Sequence, residues 1–211
     1  MCKADNSAIL AEGNYMRFLF NQASLLLVTV MFIGSTQAFE LPASARHKTL
    51  PATGSIELAF APEDDATGLV VQAIEGAQKQ VLVQAFSFTS REIAAALIQA
   101  KRRGVDVQVI ADREQTDKIE RNRIGEIAAG GATVLIDGHH TAAHNKVIII
   151  DAGTPNATLV TGSFNFTYGA QKNNAENLLV FHGNPQLVEA YATNWQRHRV
   201  HAAAYQPRHN W

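Results

Sequence analysis

Four β-branched apolar residues in succession, Val147-Ile148-Ile149-Ile150, constrain this chain more than any other stretch. Branching at Cβ stiffens χ1 and favours extended backbone, so the run predicts a strand, and its unbroken apolarity predicts burial. Polar residues stand at both of its ends. His144 and Lys146 lead in, two positions apart, and Asp151 closes it. Side chains alternate across a strand, so His144 and Lys146 point to the same side. A hydrophobic strand thus presents an imidazole and an ammonium together. After a short gap come Gly162-Ser163-Phe164-Asn165, and then Glu176 within Asn174-Ala175-Glu176-Asn177.

These residue types suit a phosphate. A neutral imidazole can attack phosphorus. Lys146 offers a compact charge and three donors to phosphate oxygens. Asn165 and Ser163 add neutral donors that can follow charge as it builds in a transition state. Gly162 lets the backbone come close or turn sharply just before them. A carboxylate at Glu176 could hydrogen-bond the far ring nitrogen of a histidine and fix its tautomer. Each feature alone has an ordinary explanation. A histidine beside a strand is most often structural, a lysine at a strand start is usually solvated, and G-S-x-N alone marks a turn. Their conjunction in this order, around a buried strand, favours chemistry.

Written as H-x-K-x-x-x-x-D followed by G-S-x-N, the set His144, Lys146, Asp151, Gly162, Ser163 and Asn165 resembles the signature of the phospholipase D superfamily, and Glu176 matches the acidic residue that follows it. The single motif in a short chain is similar to the small secreted bacterial endonucleases of that superfamily, over about residues 55–199. The resemblance implies a metal-independent phosphodiesterase with no cofactor. It also implies a two-step exchange: one histidine attacks phosphorus, and a second protonates the leaving oxygen and then activates water. One such histidine per chain implies a homodimer, with two copies of the motif meeting across a two-fold axis. His144 is then nucleophile in one subunit and acid/base in the other. Lys146 and Asn165 bind the phosphate, Ser163 supports it, and Glu176 orients His144. Asp151, although part of the signature, is expected to be structural, because it ends the strand and can pair locally.

The rest of the chain supplies a frame. Met16-Arg17, the apolar run 18–33 and the small residues before Ala38 read as an export leader cleaved after Ala38, with Met16 as the natural start and a periplasmic or secreted product. Cys2 is the only cysteine and precedes that cut, so the mature chain has no thiol. Residues 39–54 read as a loosely packed linker, and residues 55–211 as the folded domain. From Ser55 to Ile136, strands alternate with helical segments, the last of them predicted over 112–129; Asp64-Asp65 and Ser90 are candidate N-caps and Gly104 and Gly130-Gly131 candidate stops. The alternation predicts an α/β fold with a mixed, mostly parallel sheet and helices on both faces. Short-linked strands follow over 146–151, 158–161 and 177–181, and Pro185 opens a final helix.

Net charge is −1, so any nucleic-acid site must be a local patch. Lys101-Arg102-Arg103 is one candidate, and Arg113 to Arg123, interleaved with acids, reads equally well as a solvated helix face. Phe88 and Phe166 are candidates to contact bases or sugars. His139, His140 and His144 invite a metal reading, which is disfavoured because neighbours on an extended loop point apart and Asp137 alone stands near to complete a shell. DNA is the expected substrate, with RNA as the alternative polymer. The alternatives are a phospholipase acting on phosphatidyl head groups and a non-catalytic nucleic-acid-binding module. No membrane-binding helix is evident after the leader, so no stable membrane association is expected.

Overall fold

A computed structural model describes residues 47–207. The predicted leader, the first half of the linker and the last four residues lie outside the described residues. The described residues from Thr49 onward group as one compact unit. Its elements run β1 (Ser55–Ala61), α1 (Ala66–Glu75), β2 (Gln80–Ala85), α2 (Arg91–Arg102), β3 (Asp106–Asp112), α3 (Arg113–Lys118), α4 (Ile124–Ala129), β4 (Thr133–Asp137), β5 (Lys146–Ile150), β6 (Thr158–Gly162), α5 (Tyr168–Lys172), β7 (Glu176–His182), α6 (Pro185–His201) and β8 (Ala203–Ala204). The caps act where the sequence places them: Asp65 accepts from Gly68 N–H at 2.9 Å and Ser90 from Ile93 N–H at 3.2 Å.

The strands form one sheet in the order β1-β7-β6-β5-β2-β3-β4-β8. The α/β class and mixed sheet are as expected, but the expectation of mostly parallel pairing is corrected. Parallel pairs are β2–β3 and β3–β4, and the other five neighbours are antiparallel. The early βα alternation does send β1 through β4 in one direction. It does not make β1 and β2 neighbours: β5, β6 and β7, joined by short connections, insert between them. Short connections allow antiparallel pairing, whereas parallel neighbours need a long crossover. The predicted helix over 112–129 is two short helices, α3 and α4, broken at residues 119–123.

The core lies on both sides of the sheet. One side packs α1, α2 and α4 on Val81, Val83, Val107, Val109, Ile148 and Val180. The other packs Val188, Ala192 and Trp195 of α6 on Leu82, Ile110, Val147, Ile149 and Leu159. Trp195 is fully buried and satisfies its indole by donating Nε1–H to Val83 O at 3.0 Å. The linker is anchored at its end, since Pro51 O accepts from Asn184 Nδ2 at 2.9 Å and Thr53 Oγ1 donates to Gly183 O at 3.2 Å.

β5 sits in the middle, paired with β2 and β6, and all five of its residues are buried. Its two ends differ in job. At the far end Asp151 takes a left-handed turn (φ 51°), which aspartate tolerates better than branched residues. Its carboxylate accepts three main-chain N–H groups: Gln78 at 2.9 Å, Lys79 at 2.7 Å and Gln80 at 2.8 Å. That ties the start of β2 to the end of β5. Asp151→Ala leaves three amides at a part-buried corner without their charged acceptor. It should cost about 3 kcal/mol in denaturant unfolding, with activity per folded molecule retained; a loss well below 1 kcal/mol would remove Asp151 from this role.

Candidate active site

The signature residues meet at one end of three adjacent strands. His144 and Lys146 stand at the start of β5, Gly162 and Ser163 at the end of β6, and Glu176 at the start of β7. Antiparallel register makes these ends coincide, with Val147 opposite Thr161 and Gly162 opposite Leu178. Asp151 lies at the other end of β5, so the signature divides into a reactive group and a structural clamp.

Strand alternation brings His144 and Lys146 together as predicted. Lys146 Nζ lies 2.9 Å from His144 Nδ1 and 3.3 Å from Nε2, and donates to His144 O at 2.8 Å. The lysine is 7% exposed while the histidine stands in solvent, so an accessible imidazole is backed by a buried cation. Phe86 completes the setting, and sequence reasoning missed it. It follows β2 directly, its N–H donates to Asn145 O at 3.0 Å, and its ring lies 4.2 Å from the His144 ring and 4.9 Å from Lys146 Nζ. The signal was available: the residue after a central strand that pairs with the motif strand must flank the motif. Burial pushes the Lys146 ammonium below its ordinary pKa, and the nearby charge of Glu176 raises it part of the way back.

Ser163 and Glu176 form a unit of their own. Ser163 Oγ donates to Glu176 Oε2 at 2.6 Å and accepts from Asn177 N–H at 3.0 Å, while Glu176 Oε1 accepts from Asn174 Nδ2 at 3.0 Å. The expectation that Glu176 orients His144 is therefore corrected. Its oxygens are engaged by Ser163 and Asn174, and its influence on the histidine side of the site is electrostatic, through Lys146. Gly162 has φ 156°, and a Cβ there would lie 2.3 Å from Asn177 O, so a side chain would force β6 and β7 apart beneath this unit.

Asn165 lies between Phe164 and Phe166, which are 0% and 1% exposed. The two rings anchor the turn in the core and hold Asn165 out of it, half-buried. Asn165 Oδ1 is buried with no hydrogen-bond partner among the described residues. An unpaired amide at a site is costly, and rotation of this amide would present NH2 in the same place, a donor suited to a phosphate oxygen.

The five substrate-contact residues expected outside the signature are placed elsewhere. Phe88 and Phe166 pack edge-to-face with centroids 5.6 Å apart inside the core, so neither offers a face to substrate. Lys101, Arg102 and Arg103 end α2, next to the start of β3, which aligns with Gln80 at the opposite end of β2 from Ala85 and Lys146. Arg103 Nη2 donates to the carbonyls of Ile74 and Glu75 at 3.2 Å, capping α1. Arg113, by contrast, follows β3 on the same end as His144 and packs against Gly138.

Comparison with known proteins agrees with this geometry. The family described as "Cardiolipin synthase, PLD-like domain" matches residues 70–199, a span that holds every residue of the reactive group. A Rickettsia typhi protein named phospholipase D is 36% identical over 162 residues, which is 75% of this chain and 76% of that protein. A mitochondrial cardiolipin hydrolase of Xenopus laevis is 31% identical over 134 residues, 64% of this chain and 61% of its own length. Among solved structures, the phospholipase D family member Nuc from Salmonella typhimurium is similar with a TM-score of 0.68 at 34% identity, covering 74% of this chain and 100% of that one. With the signature, its geometry and its relatives in agreement, the chain belongs to the phospholipase D superfamily and is an enzyme of that superfamily's phosphodiesterase kind.

Proposed function

We propose that the enzyme is an endonuclease that hydrolyses DNA through a covalent phosphohistidine, at a site completed by a second copy of the chain. The observation that carries the reading is the pairing of a solvent-facing His144 with a buried Lys146 at 2.9 Å, once per chain. A ring nitrogen of His144 attacks phosphorus, and the bond to the leaving ester oxygen breaks. His144 of the second copy gives that oxygen its proton. The same imidazole then takes a proton from water, whose oxygen attacks phosphorus and releases the first histidine. Lys146 and Asn165 of both copies hold the equatorial oxygens, and the Ser163–Glu176 pair stiffens the turn that carries Asn165. Lysine and amide donors carry the charge here, so turnover proceeds in chelator.

The surface next to the site supports the dimer. Ile56, Leu58 and Phe60 alternate along the edge strand β1 and are each more than half exposed. They share the face of the sheet on which α6 packs, but α6 covers β2, β4, β5 and β6 and stops short of this edge. Phe60 pairs with Asn177, which in turn bonds Ser163. An apolar stripe that runs up to a half-site is what a second copy would cover.

The match to Nuc over the whole of that chain favours a nucleic-acid substrate, and Arg113 lies at the right end of the sheet to meet phosphates. The relatives named phospholipase D favour a second reading, cleavage of phosphatidyl head groups by the same chemistry. With residues 1–38 as a leader, the enzyme would act in the periplasm or outside the cell. Among the described residues no helix is long and apolar enough to cross a membrane.

In excess EDTA the protein should cut DNA. His144→Ala should lower that rate by about a thousand-fold or more, and acid quenching of the wild type should trap phosphate on histidine. Cleavage of phosphatidylcholine with DNA spared would establish the second reading, and full activity of His144→Ala would remove the nucleophile. The ammonium form of Lys146 binds phosphate, so activity falls as pH rises through its pKa. Burial lowers that pKa and Glu176 raises it. Glu176→Gln should therefore move the alkaline limb of the rate profile to lower pH, and a limb that stays in place would contradict the coupling. Phe60→Glu should yield folded monomers by sedimentation with little activity; an active monomer would refute the shared site.

A further inference from the structure

Four residues outside this chemistry converge beside the β4–β5 loop. Asp137 ends β4, His140 lies in the loop, and His198 and His201 share one face near the end of α6. One candidate ligand atom from each lies within 4.8 Å of the other three. Asp137 Oδ2 is 2.9 Å from His198 Nδ1, 3.1 Å from His140 Nδ1 and 3.2 Å from His201 Nε2. The carboxylate is fully buried, and the three side chains are 14%, 43% and 26% exposed in the same order. The disfavoured metal reading rested on a shell that the loop could not complete. Helix α6 completes it, from 61 and 64 positions away.

Hydrogen bonding alone is a poor account of this cluster. A carboxylate oxygen has about two lone-pair directions, and Oδ2 faces three ring nitrogens. Its companion Oδ1 already accepts the His139 N–H at 3.0 Å. Three imidazolium rings would repel one another, since their centroids are 4.8, 5.1 and 5.4 Å apart around one negative charge. A divalent cation resolves both problems by taking one lone pair from each neutral ring and one from the carboxylate. A tetrahedral ion with bonds of about 2.0–2.1 Å sets its ligand atoms about 3.3 Å apart, close to the spacings around Oδ2. Three imidazoles and a carboxylate suit zinc and its first-row neighbours, not magnesium or calcium. The His139 N–H on Oδ1 orients the carboxylate as outer partners of metal ligands do.

We propose that Asp137, His140, His198 and His201 bind one first-row transition-metal ion of the zinc kind, at a site separate from His144 and Lys146. Its role is positional. In the sheet β2 and β3 stand between β5 and β4, so the loop over residues 138–145 crosses three strand spacings, about 14 Å. One end of the crossing is pinned by Ala143 N–H on Asp112 Oδ2 at 2.8 Å. The ion pins the other end to α6, the helix that buries Trp195. The ion thereby stiffens the far end of the loop that delivers His144 and touches neither substrate nor the reacting atoms; the anchor next to His144 is the Ala143–Asp112 bond, which chelator leaves in place.

The test uses the full chain without a histidine tag, stripped by chelator, dialysed and titrated with Co2+ and then Zn2+. One Co2+ per chain is expected, with the intense visible bands of a tetrahedral site, displaced by Zn2+. Saturating Zn2+ should raise Tm by roughly 5–10 °C. His140→Ala and His201→Ala, both at partly exposed positions, should each weaken Co2+ binding by about 100-fold or more with an unchanged circular dichroism spectrum. His144→Ala should bind as the parent does. A folded, stripped chain that takes up no stoichiometric Co2+ in the micromolar range would overturn the proposal. So would binding untouched by both loop and helix substitutions, or binding lost in His144→Ala. Because the readout is metal uptake, either result leaves the proposed cleavage reaction to be judged on its own assay.

Discussion

The dryness of β5 is the constraint on which the rest depends. A strand buried on both faces and paired on both edges has room for polar groups at its ends alone. At one end Asp151 gathers three amides and locks β5 to the start of β2. At the other, the lysine is carried so far into the apolar interior that its charge is disfavoured, and the histidine two residues earlier remains in water. The reactive pair is thus produced by the boundary of the core. Neighbouring strands then contribute whatever their own ends bring to that boundary, which is Phe86 from β2, Ser163 from β6 and Glu176 from β7.

Much of this was legible in residue types. The β-branched run announced β5, the spacing of two placed His144 beside Lys146, and the strand-ending position of Asp151 pointed to a clamp. Direction along the early strands was legible too, because βα repeats impose it. Adjacency was not. Nothing in the spacing of β1 and β2 says that three later strands will enter between them, so the parallel sheet expected from the repeat became a mixed one. The partner of Glu176 depended on β6–β7 register, which delivered it to Ser163 in place of His144. Phe88 and Phe166 failed as surface aromatics because each lies a few residues past a strand end, where the chain turns inward and the two rings meet. Arg103 failed as a substrate contact because a helix end beside it had carbonyls to cap.

The sheet concentrates its chemistry at one end. There β2, β3 and β4 finish and β5 and β7 begin, so the carboxylates of Asp112 and Asp137, the catalytic loop and the Ser163–Glu176 pair share one rim. The opposite rim holds the Asp151 clamp and the C-terminal end of α1 that Arg103 caps. An α/β sheet separates binding from folding in this way because its strand termini, unlike its faces, are not consumed by packing. The single long helix on the α6 side is the exception that links the two, since it carries Trp195 into the core and two histidines to the rim.

That helix is also the last large element in chain order. Every residue of the reactive group has been synthesised by Glu176, yet Trp195, His198 and His201 follow it. A polypeptide emerging N-terminus first therefore carries its own share of the site before it can cover that side of the sheet or secure the loop that bears His144. The frame therefore lags the reagents in chain order: the side chains of the site precede the helix whose docking aims them.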